Sequence, residues 1–225
     1  MNAVLLLNEN IKTTSFRVKE GDSFRLNIAA FRDIKDCKIQ VFVEKDATFD
    51  GVFADFSKGS AKINIEVILE GEGASGTFRT ASLSQGEDKK TFDVSMIHQS
   101  GHSEGLVESY GVCQGHSRLV FTGVSKIDKG AKESHTHQSA KIIVFDEGCL
   151  GRCSPILKID ENSVKASHAA VVGKLNDDHL FYLLSRGLDL VQARKLITQG
   201  YLLPIASYFE GEERTMIEEA IAAEL

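Results

Sequence analysis

The chain has 225 residues, 42% of them hydrophobic, which is enough to bury a sizeable core in one large or two small domains. A formal charge of −6 with Lys and Arg thinly spread excludes the clustered basic surface that nucleic-acid phosphates require, and no apolar run approaches the roughly 20 residues needed to span a bilayer. Neither a nucleic-acid nor a membrane partner is expected, and a start without a basic leader, with four cysteines too few for a disulfide framework, points to the cytoplasm.

From the N-terminus to about Leu175 the pattern is strand, turn, strand. Alternating or apolar runs predict strands at Ser23 to Ile28, Lys38 to Val43, Ala61 to Leu69, Thr91 to Ile97, Arg118 to Val124 and Ser139 to Phe145. Gly21-Asp22, Asp50-Gly51, Gly71-Glu72-Gly73 and Asp128-Lys129-Gly130 read as the turns between them. Val94, Val107 and Val120 each open a short strand at a step of 13 residues, with Gly101, Gly105 and Gly115 between. Such a step suits the successive edges of a coil. A β-sandwich, with strands every 8 to 12 residues, suits it as well, and periodicity leaves both open.

Beyond Cys153 the alternation continues through Ser154 to Asp160 and Val164 to His168, and then the period changes. Leu180, Phe181, Leu183 and Leu184 fall on one helical face, with Asp177 placed to cap it and Gly187 to end it. Asp189 and Gln192 form a capping-box pair for a second helix carrying Leu190, Val191, Ala193, Leu196 and Ile197, which Gly200 and Pro204 weaken or kink. Met216, Ile217, Ala220 and Ile221 stripe a last helix between acidic residues. The expected division is a β body over residues 1–176 and a helical part over 177–225.

Several groups have chemistry to offer. His135 and His137 lie two apart on one strand face, as many metal ligands do, and Glu133 or Glu104 is a possible carboxylate partner for a histidine-based metal site. His98, His102 and His116 crowd the same region, and if the 13-residue step is the repeat, His102 and His116 approach one another at neighbouring corners. Cys149 and Cys153 are the close thiol pair, but structural zinc sites usually need a second, tighter one. The chain has no Trp and only four Tyr for a carbohydrate platform. It also has no Gly-x-Ser-x-Gly elbow and no phosphate-binding Gly-x-x-x-x-Gly-Lys loop, so any ATP hydrolysis must come from a partner.

Taken together, Ser154-Pro155 with the strand behind it, Ser167-His168-Ala169-Ala170 followed by Gly173, the Leu180 to Leu188 run LFYLLSRGL and Gly200-Tyr201 are similar to the C-terminal core of the SufB/SufD family. Members of that family are scaffolds of the Suf iron–sulfur cluster assembly system. His137-Gln138-Ser139-Ala140-Lys141 resembles the family's glutamine-containing strand, and the likeness runs from about Asp93 to Phe209. It implies a mainly β fold, a right-handed parallel β-helix followed by a small C-terminal helical subdomain, in a short member without the family's N-terminal helical domain. It also implies that His168 matches the family's strand-end histidine, while Ser139 stands where the SufB type has a cysteine and Ala169 where it has a glutamate. Serine and alanine cannot hold iron or persulfide sulfur as thiolate and carboxylate do, so the chain is SufD-like and non-catalytic by this resemblance. Its implied partners are a SufB-type subunit or a second copy, and a SufC-type ABC ATPase docked on the helical part through Phe181, Tyr182, Arg186, Leu196, Ile197 and Tyr201. A transient iron–sulfur cluster is expected at a subunit interface, with none held by this chain alone.

Overall fold

A computed structural model describes residues 2–7, 13–175 and 177–223 of the protein; the cap expected of the Asp177 side chain lies outside the described residues. Strands β1 (Asn2–Leu7), β3 (Ser23–Ala30), β5 (Thr48–Asp55), β7 (Ser75–Ser84), β9 (Glu104–Cys113), β11 (His135–Val144) and β13 (Lys165–Lys174) form one sheet in that order. The second sheet holds β2 (Thr14–Val18), β4 (Asp36–Val43), β6 (Ser60–Leu69), β8 (Lys89–His98), β10 (Arg118–Ile127) and β12 (Leu150–Ile159). Each strand pairs in parallel with the next but one in the chain. The chain therefore winds as a β-helix with two strands per coil.

The repeat is longer than the valine spacing suggests. Ile65 pairs with Val94 and Val94 with Gly123, a step of 29 residues. The 13-residue step is instead the passage from one sheet to the other. Val94 and Val107 are buried in facing sheets, whereas Val120 sits on the outer face between buried Leu119 and Phe121. Consecutive turns consequently fall on opposite edges. His102 caps the edge after β8, where its amide bonds Lys132 O, and His116 the edge after β9, where its amide bonds Gly86 O. The two histidines do not approach.

Inside the coils, alternate side chains stack on their counterparts one coil away. The Phe92 and Phe121 ring centroids, one coil apart in the same sheet, are 5.5 Å apart, and Phe53 of the facing sheet meets Phe92 edge-on at 5.7 Å. Burying a side chain of this size contributes about 1.5–3 kcal/mol. Gly51 belongs to this packing and is not a turn: it lies within β5, where an added Cβ would fall 2.5 Å from the Phe78 ring and 2.7 Å from that of Phe49. One charged pair is sealed at the edge that follows the odd strands. Lys90 and Asp55 have fully buried side chains with Nζ 3.1 Å from Oδ2. The ammonium also donates to Ser57 O at 2.5 Å and Leu83 O at 2.6 Å, while Ser57 and Ser82 hydroxyls donate to the carboxylate.

The chain leaves β13 into α1 (Asp177–Ser185), α2 (Leu190–Leu202), a 3₁₀ segment (Leu203–Tyr208) and α3 (Gly211–Ala223). Gly187, at φ +90°, ends α1 in the conformation that glycine adopts without steric cost. The Asp189–Gln192 capping box forms as expected, while Gly200 stays helical and Pro204 lies in the first turn of the 3₁₀ segment. These helices do not seal the last coil. Leu202, Ile205, Phe209, Ile217 and Ile221 pack instead along the outer flank of the odd-strand sheet, on Ala29, Val52, Ala54, Ala81, Leu83 and Val112. Both faces of β13 are left exposed. Among the described residues no helix is long and apolar enough to cross a membrane.

Candidate functional site: the open end of the last coil

One inward row crosses the odd-strand sheet through Leu26, Gly51, Phe78, Val107, Gln138 and His168. The row is apolar through the first four coils and turns polar in the last two. Gln138 is buried and donates through Nε2 to Ile156 O at 3.0 Å. Its amide has room because position 123 is glycine; a Cβ there would fall 2.1 Å from Gln138 Oε1. The hollow bounded by Phe121, Gln138, Ala140 and Pro155 has a volume of only 10 Å³, about one water. Among the described residues, the interior beside Gln138 thus has room for little more than one water.

His168, one strand beyond Gln138, has no coil above it and is exposed. On the same inward face of β13, Val172 (43% exposed) leaves apolar surface uncovered, and β12 and β13 each present an unpaired backbone edge. An exposed imidazole offers a nitrogen lone pair to a metal or to sulfur chemistry. Ser139 lies close by but on the other face. It pairs with Ala169, not with His168, and strand alternation turns both to the outside. The polar neighbour that shares the inward row with His168 is Gln138. An amide between Thr136 and Ala140 in a period-two strand was the available signal for it.

His135 and His137 do share the outer face of β11, along a shallow groove with Glu104, Leu106, Lys165 and Ser167. His137 Nδ1 lies 2.8 Å from Ser167 Oγ, and His135 is in register with Glu104 and Lys165. Glu133 sits in a turn, at φ +56°. Among the described residues no three His, Cys, Asp or Glu side chains converge on a point that holds a metal ion. All four cysteines are free. Burial pushes three of the thiols up, to about 12 for Cys113 and about 11 for Cys37 and Cys153, which keeps these three from being the thiolates that bind metal or attack sulfur at neutral pH.

The helical part divides the remaining site residues. Phe181 (73% exposed), Tyr182 (55%) and Leu196 (48%) stand in solvent, with the Arg186 guanidinium 5.1 Å from the Tyr182 ring centroid. Tyr201 turns to the β-helix flank, where Lys141 Nζ lies 4.6 Å from its ring centroid, and Ile197 lines a hollow against β11 and β13.

Comparison with known proteins extends the likeness beyond these motifs. The family model described as SUF system FeS cluster assembly, SufBD core domain, matches residues 32–201. The iron–sulfur cluster assembly protein SufD of Bacillus subtilis is 33% identical over 151 residues, 66% of this chain and 35% of that protein. An iron–sulfur cluster assembly SufBD family protein of Mycobacterium leprae is 27% identical over 165 residues, 73% of this chain and 19% of its own length. One of Staphylococcus epidermidis is 19% identical over 186 residues, 83% and 40% respectively. The chain spans well under half the length of these relatives.

Proposed function

Since the chain belongs to the SufBD core-domain family of the SUF iron–sulfur cluster assembly system, we propose that it is a SufD-like, non-catalytic scaffold subunit that offers His168 at a seam with a second subunit. The observation carrying this reading is the last coil: an exposed imidazole beside uncovered Val172 on the inward face of β13, at the end of two sheets whose final strands have unpaired edges. A SufB-type subunit covers that end and supplies the thiolate and carboxylate that Ser139 and Ala169 do not, whereas a second copy of this chain would cover it without supplying either. The iron–sulfur cluster is cargo. This chain contributes one nitrogen ligand to the seam, and its buried thiols Cys37 and Cys113 stay out of the chemistry.

In the same reading a SufC-type ABC ATPase docks on the exposed face of α1, through Phe181, Tyr182 and Arg186 with Leu196 of α2 beside them, and the protein works in the cytosol. Removing residues 177–225 would strip the flank of the β-helix as well, so point variants are the sounder probe. Phe181→Ser with Tyr182→Ser is expected to abolish co-purification with the ATPase while leaving the melting temperature unchanged; retained binding would refute the docking face. For the seam, anaerobic reconstitution with iron and sulfide is followed by visible absorption, for the chain alone and with a SufB-type subunit. Cluster absorption is expected only in the mixture and is lost with His168→Ala. Full absorption in the His168→Ala mixture would overturn the proposal.

A further inference from the structure

The outer face of the odd-strand sheet carries a second feature, which the scaffold reading leaves unused. One outward row runs through Ala29, Ala54, Ala81, Tyr110, Lys141 and Val171. Where the row is alanine the 3₁₀ segment packs on the sheet with α3 behind it, and all three alanines are buried. At Tyr110 and Lys141 the side chains lengthen and the helices stand off. Two hollows open along the seam, one of 370 Å³ between Tyr110, Tyr201 and Tyr208, the other of 540 Å³ between β11, β13 and α2. Lys141, resting on Tyr201, is the partition between them and lines both.

In the larger hollow, glycine stands on both walls where folding does not ask for it. Gly200 is inside α2 and Gly173 inside β13, neither has a positive φ, and a Cβ added at either would meet nothing within 4 Å. Glycine weakens helix and strand interiors relative to alanine, so the two positions give up stability and keep the space between them open. The rest of the lining is apolar (Ile143, Val171, Leu175, Ile197) apart from Lys141, Lys174 and His179. No carboxylate lies within ion-pair distance of Lys141 among the described residues, and Lys174 reaches only Glu147, in a pair that is almost wholly solvated. Contrast the neighbouring Arg79, which Asp50 at 2.7 Å and Glu108 at 3.1 Å neutralise. The hollow has the volume of a small-molecule site, an apolar wall and an uncompensated ammonium at its rim.

We propose that this hollow binds a small amphipathic anion, with one carboxylate-type head on Lys141 and a short apolar body against Ile143, Val171 and Ile197. The site lies on the flank, away from the open end that carries His168, so failure of either reading leaves the other standing. Octanoate is the probe, with octan-1-ol as its uncharged counterpart, titrated by calorimetry into the full chain. The expected result is one saturable octanoate site per chain, with octan-1-ol at least tenfold weaker. Lys141→Gln weakens octanoate at least tenfold and Lys141→Arg restores it. Gly200→Leu fills the hollow and removes binding without lowering the melting temperature; if that variant does not fold, Gly173→Ala in the same assay serves the purpose. Phe181→Ser, on the exposed helix face, leaves binding unchanged. Equal binding of octanoate and octan-1-ol, unaltered binding by Lys141→Gln, or loss of binding by Phe181→Ser would overturn the proposal, the last by showing adsorption on α1.

Discussion

The middle coils and the last one share a fold and a register but not a fate. From β5 to β10 each strand has a neighbour on both sides, its inner residues are buried, and in the odd-strand sheet the helices cover much of the outer face as well. In β12 and β13 the same ten-residue strands carry exposed or half-exposed positions throughout. A β-helix coil gains its stability from the coils on either side, so a terminal coil is stable on one side only and keeps an adhesive surface on the other. The difference teaches where stability and function separate along the chain: substitutions in the middle should cost folding, and those at the end should cost assembly.

Breaking the Lys90–Asp55 pair tests the middle coils most severely. Replacing Lys90 with Met leaves a fully buried carboxylate without its cation, an outcome that costs about 3–5 kcal/mol. Urea denaturation of Lys90→Met should show a loss of this size, and Lys90→Met with Asp55→Leu should recover much of it. If the single variant were as stable as the parent, the edge would not be the sealed structure described.

His98 gives a pH-dependent version of the same test. Its ring is fully buried, Nδ1 lies 2.8 Å from Ser103 Oγ, and burial pushes its pKa down from 6.5 to about 4. Because the unfolded chain takes up this proton first, the stabilisation is complete above about pH 6.5 and is lost progressively as pH falls toward 4. The pKa difference corresponds to a loss on the order of 3 kcal/mol. Denaturation profiles of the parent and His98→Gln should therefore converge across that window, and parallel profiles would show that the ring does not resist protonation. A smaller loss, about 1–3 kcal/mol from overpacking, is expected for Gly51→Ala, whose methyl group would press on the Phe78 and Phe49 rings.

These positions also mark how far the sequence could be read. Strands with one solvated face, such as β4, β6 and β8, alternate cleanly and are legible from period two. β5 (TFDGVFAD) and β7 (SGTFRTASLS) are not, because helices bury Val52, Ala54, Ala81 and Leu83 from outside while Phe49, Phe53 and Phe78 fill the inside. Burial on both faces erases alternation, and Gly51, which sits under two rings, reads as a turn. The coil repeat was hidden because the 13-residue step joins unlike positions of successive strands: Val94 is the sixth residue of β8, Val107 the fourth of β9 and Val120 the third of β10. At the site, His168 and the α1 face were visible through their ordered motifs. The opposed faces of Ser139 and His168, the role of Gln138 and the flank packing of the helices depend on register and on contacts far apart in sequence, which no local pattern encodes.

The smallest effect on folding should accompany the largest effect on pairing, and Val172→Asp isolates it. Val172 is 43% exposed on β13 and shares the inward row of Ile142, so in the isolated chain the aspartate finds water and the denaturation midpoint should move by no more than about 0.5 kcal/mol. Under a partner subunit the same carboxylate is buried without a cation, a position that costs several kcal/mol. Sedimentation with a SufB-type subunit should then show affinity weakened by about tenfold for each 1.4 kcal/mol lost, while His168→Ala, which removes no comparable apolar contact, leaves pairing in place and affects only the cluster. If Val172→Asp instead unfolds the chain as the Lys90 variant does, the last coil is held from within like the others, and the division between folding and assembly fails.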